Sequence, residues 1–278
     1  MMVALQEPLK ENSDQGSPGL LESVGKWVRE RVSFFIGLST LLYLAVKELV
    51  TERKKGFSLV FEITLRQIYF TGVQALRVAT LVSLALGTIV IVESGSQMEL
   101  LGGVQFIITI LVLVVLRELG PLLAAFIVIG RSGTAIATEL GNMIIAHELE
   151  AIQAMGINPI YFIVTPRIIG VTIAVVCLTI VFNAVALLGG FFVSSLILTT
   201  TLRVFLEELG SSLMATDVVF SILKSAVYGL LIALTCTYHG LTVRTSPIEV
   251  PQAATRGVVS AILGCVIANV LLTLLFYL

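Results

Sequence analysis

Residues 104–130 read VQFIITILVLVVLRELGPLLAAFIVIG, an apolar run broken only by the pair Arg117-Glu118. A helix crossing a bilayer needs ~20 mostly apolar residues, so this stretch is a span. Thirteen of its residues precede Arg117. At ~1.5 Å per residue the charged pair lies ~20 Å along the helix, near mid-bilayer. Each charge there costs at least ~2.5–3.5 kcal/mol, so the pair faces the protein interior, a cavity or a partner charge, not lipid. Gly120-Pro121 follows at once, removes a backbone hydrogen bond and predicts a kink.

The surrounding chain repeats this character. Of its 278 residues 57% are hydrophobic and only 13% charged, which excludes an ordinary soluble globule and a disordered chain. Four more spans are legible: 73–92, 168–198, 220–241 and 257–278. With 104–130 they make five and define the part of the chain from 73 to 278. Residues 1–22 are polar and read as a flexible tail, with no cleavable signal peptide expected there. Residues 23–72 read as interfacial amphipathic helices. The apolar run 33–46 is short for a span and basic on both flanks, which favours a helix lying in the interface. Residues 57–72 are amphipathic, with Glu62 and Arg66 as an i,i+4 pair. The fold class is therefore all-α integral membrane.

Charge sets the orientation. Ten of 17 Lys and Arg fall in residues 1–77, and the basic loops alternate to that side. The N-terminus is expected in the cytoplasm and the C-terminus outside. A net charge of −1 points away from nucleic acid. Arg77, near the inner end of the first span, can snorkel to the interface. No internal repeat is evident, which weakens an inverted-repeat transporter reading.

Lys224 in the fourth span is the expected partner of Arg117 and Glu118. The cluster either locks helices together or forms a polar element that moves with them or touches a headgroup; both readings stand. Between the second and third spans, residues 131–167 predict a surface helix broken near Gly141-Asn142 and ended at Gly156. Glu139, Glu148 and Glu150 mark its exposed face, and Ile152 and Met155 add an apolar edge suited to a protein groove.

Other chemistry fails on inspection. His147-Glu148 starts like a zinc-protease helix, but Ala151 stands where the second His must be. His239 is the only other histidine, so no metal site is expected. No phosphate-cradling G-x-x-x-x-G-K-[ST] loop occurs, and Gly130-Arg131-Ser132-Gly133 is not a nucleophile elbow. The chain is expected to be no enzyme and to bind no cofactor itself. Cys177, Cys236 and Cys265 read as buried free thiols. Gly87, Gly130, Gly133, Gly189, Gly190, Gly229, Gly240 and Gly264 are expected at close helix contacts.

Arg66-Gln67-Ile68-Tyr69, RELGPLLAAFIVIGRSGTAIATELGNM (117–143), ELEAIQAMGINPIYFIVTPR (148–167), Leu223-Lys224-Ser225 and Ala253-Ala254-Thr255-Arg256 resemble the MlaE/YrbE permeases. These are the membrane subunits of MCE-associated ABC transporters that move phospholipids or related lipids. The resemblance runs from about residue 57 to the C-terminus. It implies a homodimeric permease with a lipid cavity at the dimer interface, for which Ala85, Thr88, Val92 and Ser96 are candidate lining. It implies a cytoplasmic ABC ATPase, carrying ATP and Mg, docked on a coupling helix that bears Glu139, Glu148, Glu150, Ile152, Met155 and Gly156. It further implies a periplasmic MCE-domain hexamer, a small STAS-type accessory subunit and a Gram-negative inner membrane. Arg117, Glu118 and Lys224 match the family's intramembrane charged positions, whereas Asn269 stands where an acidic residue can occur. Two rivals remain: an ion-coupled secondary transporter using Glu118 and Lys224, and a scaffold that anchors an MCE protein without transporting.

Overall fold

The computed structural model describes residues 20–51, 57–96, 104–197, 200–244 and 246–277; the expected tail 1–22 lies almost wholly outside them. Among the described residues every regular element is a helix, with no strand. We number the helices α1 (Leu20–Thr51), α2 (Phe57–Thr71), α3 (Leu76–Ser96), α4 (Val104–Val112), α5 (Gly120–Val128), α6 (Thr134–Ile145), α7 (Glu148–Ala154), α8 (Thr165–Ile197), α9 (Leu202–Ser212), α10 (Ala215–Leu241) and α11 (Glu249–Tyr277). Six stretches are long and apolar enough to cross a membrane: 31–51, 58–96, 106–145, 160–197, 215–241 and 249–276. The last five correspond to the five spans expected from the sequence, to within two residues where those run past them. The first is α1, which extends well beyond its 14-residue apolar run.

Contacts show the course of α1. Leu38, Leu41 and Ala45 are buried. Phe34 packs edge-on against Tyr238 at a centroid distance of 5.3 Å, and Ala45 O accepts a 3.5 Å hydrogen bond from Thr165 Oγ1. Tyr238 lies at the end of α10 and Thr165 at the start of α8. These two helices are antiparallel, since Asn183 meets Ser221 and Gly229 meets Thr172. Both contacts of α1 therefore lie at one end of the bundle. From Phe34 to Ala45 the helix advances ~16 Å without moving along either neighbour. Its length permits a crossing, but its contacts run across the end of the bundle.

α2 and α3 run parallel to α8, with Gln67 beside Gly170 and Gly87 beside Ala186. The surface segment expected up to residue 72 thus already packs along α8 from Thr64 onward. A one-turn 3₁₀ segment, Val73–Ala75, separates the two helices. The carbonyl of Phe70 at this break accepts a 3.2 Å hydrogen bond from Arg131, which also bonds the Gln74 side chain. The Glu62–Arg66 pair forms at 3.0 Å on the exposed face.

Small residues decide the α3–α8 contact. A Cβ on Gly87 would overlap the carbonyl oxygen of Ala186, so only glycine lets the two backbones approach. Gly133, Gly189, Gly190, Gly229 and Gly240 also sit at close contacts. Gly130 and Gly264 do not: nothing lies within 4 Å of a Cβ built there. Cys236 and Cys265 are buried, but Cys177 is exposed on the outer side of α8, contrary to expectation.

The second span differs most from its sequence reading. The helix does not end at Gly130 but continues to Ile145 through two π-helical segments, Leu113–Leu119 and Ile129–Gly133. Much of the connection expected at 131–167 is an extension of the span. Nor does it break at Gly141-Asn142. Gly141 is buried, and its bare Cα lets Val243 and Val250 approach to 3.2–3.3 Å of a would-be Cβ. The break comes at His147, which adopts the left-handed conformation (φ 55°). α7 then ends where the sequence placed the stop. Gly156 (φ 78°) donates to Gln153 O at 3.0 Å and Ile157 to Ile152 O at 3.2 Å, a Schellman closure. The remaining spans start earlier than expected, at 160, 215 and 249 instead of 168, 220 and 257.

Candidate functional site

Pro121 has no N–H to offer the carbonyl of Arg117, four residues back. The preceding turn widens in response: Gly120 N–H reaches back five residues to Val115 O, a π-type bond. The carbonyl freed by the proline accepts instead from Lys224 Nζ of α10, at 2.8 Å. The kink expected from Gly120-Pro121 is thus a widened turn sealed by a side chain from another helix.

Lys224 is fully buried and spends its other two protons on Glu118 Oε1 (2.9 Å) and Thr273 Oγ1 (2.8 Å). Thr273 donates to Glu118 Oε1 at 3.1 Å, and Asn269 Nδ2 donates to Glu118 Oε2 at 3.1 Å. Tyr228 OH donates to Asn269 Oδ1 at 2.6 Å. Lys224 also lies 4.9 Å from the centroid of Phe220, which stacks on Phe276 at 4.1 Å. Next to this network Arg117 Nε meets Asp217 Oδ1 at 2.8 Å. Asp217 is fully buried, and its other oxygen accepts from Met214 N at 3.2 Å, capping α10. Three helical segments, Leu113–Leu119, α10 and α11, therefore meet around two ion pairs of zero formal net charge. Lys224 is nine residues into α10, so the network sits ~14 Å from that end.

Arg117, Glu118 and Lys224 do come together, but as members of two separate pairs. Asp217 was not anticipated, because residues 199–219 read as a loop. Its signal was its place in the first turn after Met214, where an acidic side chain favours a helix start. Thr273 and Tyr228 carried no signal of their own, since hydroxyls are common in spans.

At the other end, α7 is seated on the bundle by Leu149 and turns its acidic face outward. Glu148, Glu150, Met155 and Gly156 are exposed, Met155 by 68%. Ile152 is half-buried against the core and does not belong to the exposed apolar edge; Ile157 takes that place, 38% exposed. His147 Nδ1 lies 3.1 Å from Glu150 Oε2. Glu139 stands apart, on α6, in a 2.7 Å ion pair with Arg167 at the start of α8. Arg167 also donates to Ile163 O at 3.1 Å. The pair ties the extended second span to the start of the third. Glu139→Gln leaves a nearly buried guanidinium short of its carboxylate and is expected to cost on the order of 1 kcal/mol. A detergent thermal-shift assay checks this; restoration by the reversed pair Glu139→Arg/Arg167→Glu would identify the contact as the cause.

Ala85, Val92 and Ser96 are exposed and Thr88 is half-exposed, all on one face of α3. The opposite face, with Ser83, Gly87 and Ile91, packs inward. Among the described residues no three His, Cys, Asp or Glu side chains gather in a group that could hold a metal.

A multi-span helical bundle with a closed polar network inside it and a short acidic helix at one end is built as a membrane permease. The permease MlaE family matches residues 64–275. A probable ABC transporter permease protein of Rickettsia prowazekii is 29% identical over 79% of this chain and 85% of its own length. One of Synechocystis sp. is 27% identical over 95% and 96%. The intermembrane phospholipid transport system permease protein MlaE of Haemophilus influenzae is 24% identical over 78% and 84%. The chain belongs to the MlaE permease family and is a multi-span membrane subunit of an ABC transporter, a class that works with an ATPase partner. α1 lies outside the matched region.

Proposed function

We propose that this permease moves phospholipid across or out of a bacterial inner membrane, driven by ATP that a separate cytoplasmic subunit hydrolyses. The observation that carries the reading is the family match over residues 64–275, together with the Haemophilus relative's phospholipid transport name. In this reading two copies form the core, and Ala85, Thr88, Val92 and Ser96 on the outward face of α3 line the lipid cavity between them. The ATPase docks on α7 through Glu148, Glu150, Met155 and Ile157. A periplasmic MCE hexamer stands at the opposite end, and a STAS-type subunit accompanies the ATPase. The N-terminus is cytoplasmic, the C-terminus periplasmic, and α1 rests in the cytoplasmic interface.

The second span supplies the transmission. α6, α5 and α4 are one helical run, so a push on α7 reaches the Arg117–Glu118 region through two π segments. Such segments hold one residue more per turn than an α-helix and yield more readily. The polar network then holds the Leu113–Leu119 segment, α10 and α11 together while the span flexes.

The test is co-purification. Expressed with its neighbouring genes, the wild-type chain is expected to retain an ATPase in mild detergent. Glu148→Lys/Glu150→Lys is expected to lose it with its thermal stability changed by no more than ~0.5 kcal/mol, since both side chains are exposed. Recovery of the permease without any ATPase in either form would sink this reading.

A further inference from the structure

α1 is the one long helix outside the family match, and it has two different faces. Phe34, Leu38, Leu41 and Ala45 recur at helical spacing and seat it on the bundle. Phe35, Ser39, Tyr43, Val46 and Val50 form a second stripe on the far side, with Phe35 65%, Tyr43 64% and Val50 71% exposed. A soluble surface helix would carry charge there. Instead the exposed basic residues Arg29 and Lys47 lie along one margin of that apolar stripe. Within α1 four Lys and Arg stand against three Glu, a positive balance in a chain whose net charge is −1. Apolar stripe, basic margin and positive balance together match a helix that sinks into a bilayer surface and attracts anionic headgroups.

We propose that α1 binds the anionic lipid surface of the cytoplasmic leaflet, with Arg29 and Lys47 pairing with lipid phosphates and the Phe35–Val50 stripe in the acyl region. The proposal rests on the interfacial placement of α1 and on the orientation given above. The occupant is lipid, not protein, because the far stripe is apolar but for Ser39, whose hydroxyl is returned to Ile36 O, while its cationic margin carries the charge that a negatively charged leaflet requires. The seat of the helix gives the contact a consequence. α1 touches Tyr238 at the end of α10 and Thr165 at the start of α8, beside the π segment Ile160–Val164 that follows α7. Lipid holding α1 down also holds the ends of the helices next to the coupling segment.

The chain carries a single tryptophan, Trp27, and it lies in α1. The full-length permease is reconstituted into phosphatidylcholine vesicles doped with brominated phosphatidylcholine or brominated phosphatidylglycerol, and Trp27 quenching is measured. The expected result is strong quenching by both lipids, with several-fold preference for phosphatidylglycerol, since each basic residue near an anionic surface is worth about fivefold in binding. Arg29→Gln/Lys47→Gln is expected to lower that preference several-fold while leaving quenching by phosphatidylcholine intact. Strong quenching without preference in the wild type, or a preference unchanged in the variant, would overturn the headgroup pairing alone. No quenching by either lipid would overturn the interfacial placement as well and open the stripe to a protein occupant.

Discussion

Lys224→Met is expected to destabilise the permease by about 2–3 kcal/mol, the cost of stripping the half-buried Glu118 carboxylate of its counter-charge and leaving its neighbours short of a donor. The substitution removes three hydrogen bonds at once. Glu118 loses its counter-charge, Thr273 loses a donor, and the Arg117 carbonyl freed by Pro121 is left with nothing to accept from. The measurement is the detergent unfolding midpoint, read beside lipid transport by the reconstituted transporter. Pairing the change with Glu118→Gln removes the orphaned charge and keeps an acceptor and a shape that suit Asn269 and Thr273, so most of the stability is expected to return. Transport separates the two meanings of the cluster. If the double variant folds and transports, the network only locks helices. If it folds and fails to transport, the charges act in the cycle. A single variant as stable as wild type would mean that Lys224 is not closed into this network.

Gly87→Val is expected to cost about 3 kcal/mol or more, because the added carbons overlap the backbone carbonyl of Ala186 and not a side chain that can turn aside. α3 must then move off α8 along its length. Ala186→Gly leaves the carbonyl in place, so it is expected not to rescue the variant. A monodisperse, wild-type elution profile and midpoint for Gly87→Val would show that α3 and α8 are not in backbone contact there. The same displacement shifts the face carrying Ala85, Thr88 and Val92, so a partially folded variant is expected to lose transport first.

How much was legible beforehand differs from element to element, for physical reasons. The five spans were readable because burial in lipid demands long apolar runs. Their ends were not, because a helix leaving the bilayer carries polar residues and stays helical when it packs on neighbours. Residues 131–145 are the clearest case: polar enough to read as a surface helix separate from the span, yet α6 continues the span and is held by α10 and α11. Gly141 looked like a helix breaker and is a packing contact, since a glycine's role depends on what approaches it. His147, where the helix does break, gave no local warning. Of the docking face expected from the sequence, Ile152 packs against the core, and Glu139, though exposed, is engaged by Arg167.

The sequence by itself determined that this is an all-α membrane chain, that Arg117, Glu118 and Lys224 must be shielded from lipid, and that a surface helix ends at Gly156. These follow from solvation costs and backbone chemistry, which act on each residue whatever its distant neighbours. Only the tertiary structure decided which charges pair, that Asp217, Asn269 and Thr273 complete the network, that the Pro121 kink is sealed by Lys224, and that α1 runs across the end of the bundle. Those outcomes depend on contacts between residues up to about 150 positions apart, such as Glu118 with Thr273. Local pattern carries no record of which distant helix will supply the missing partner.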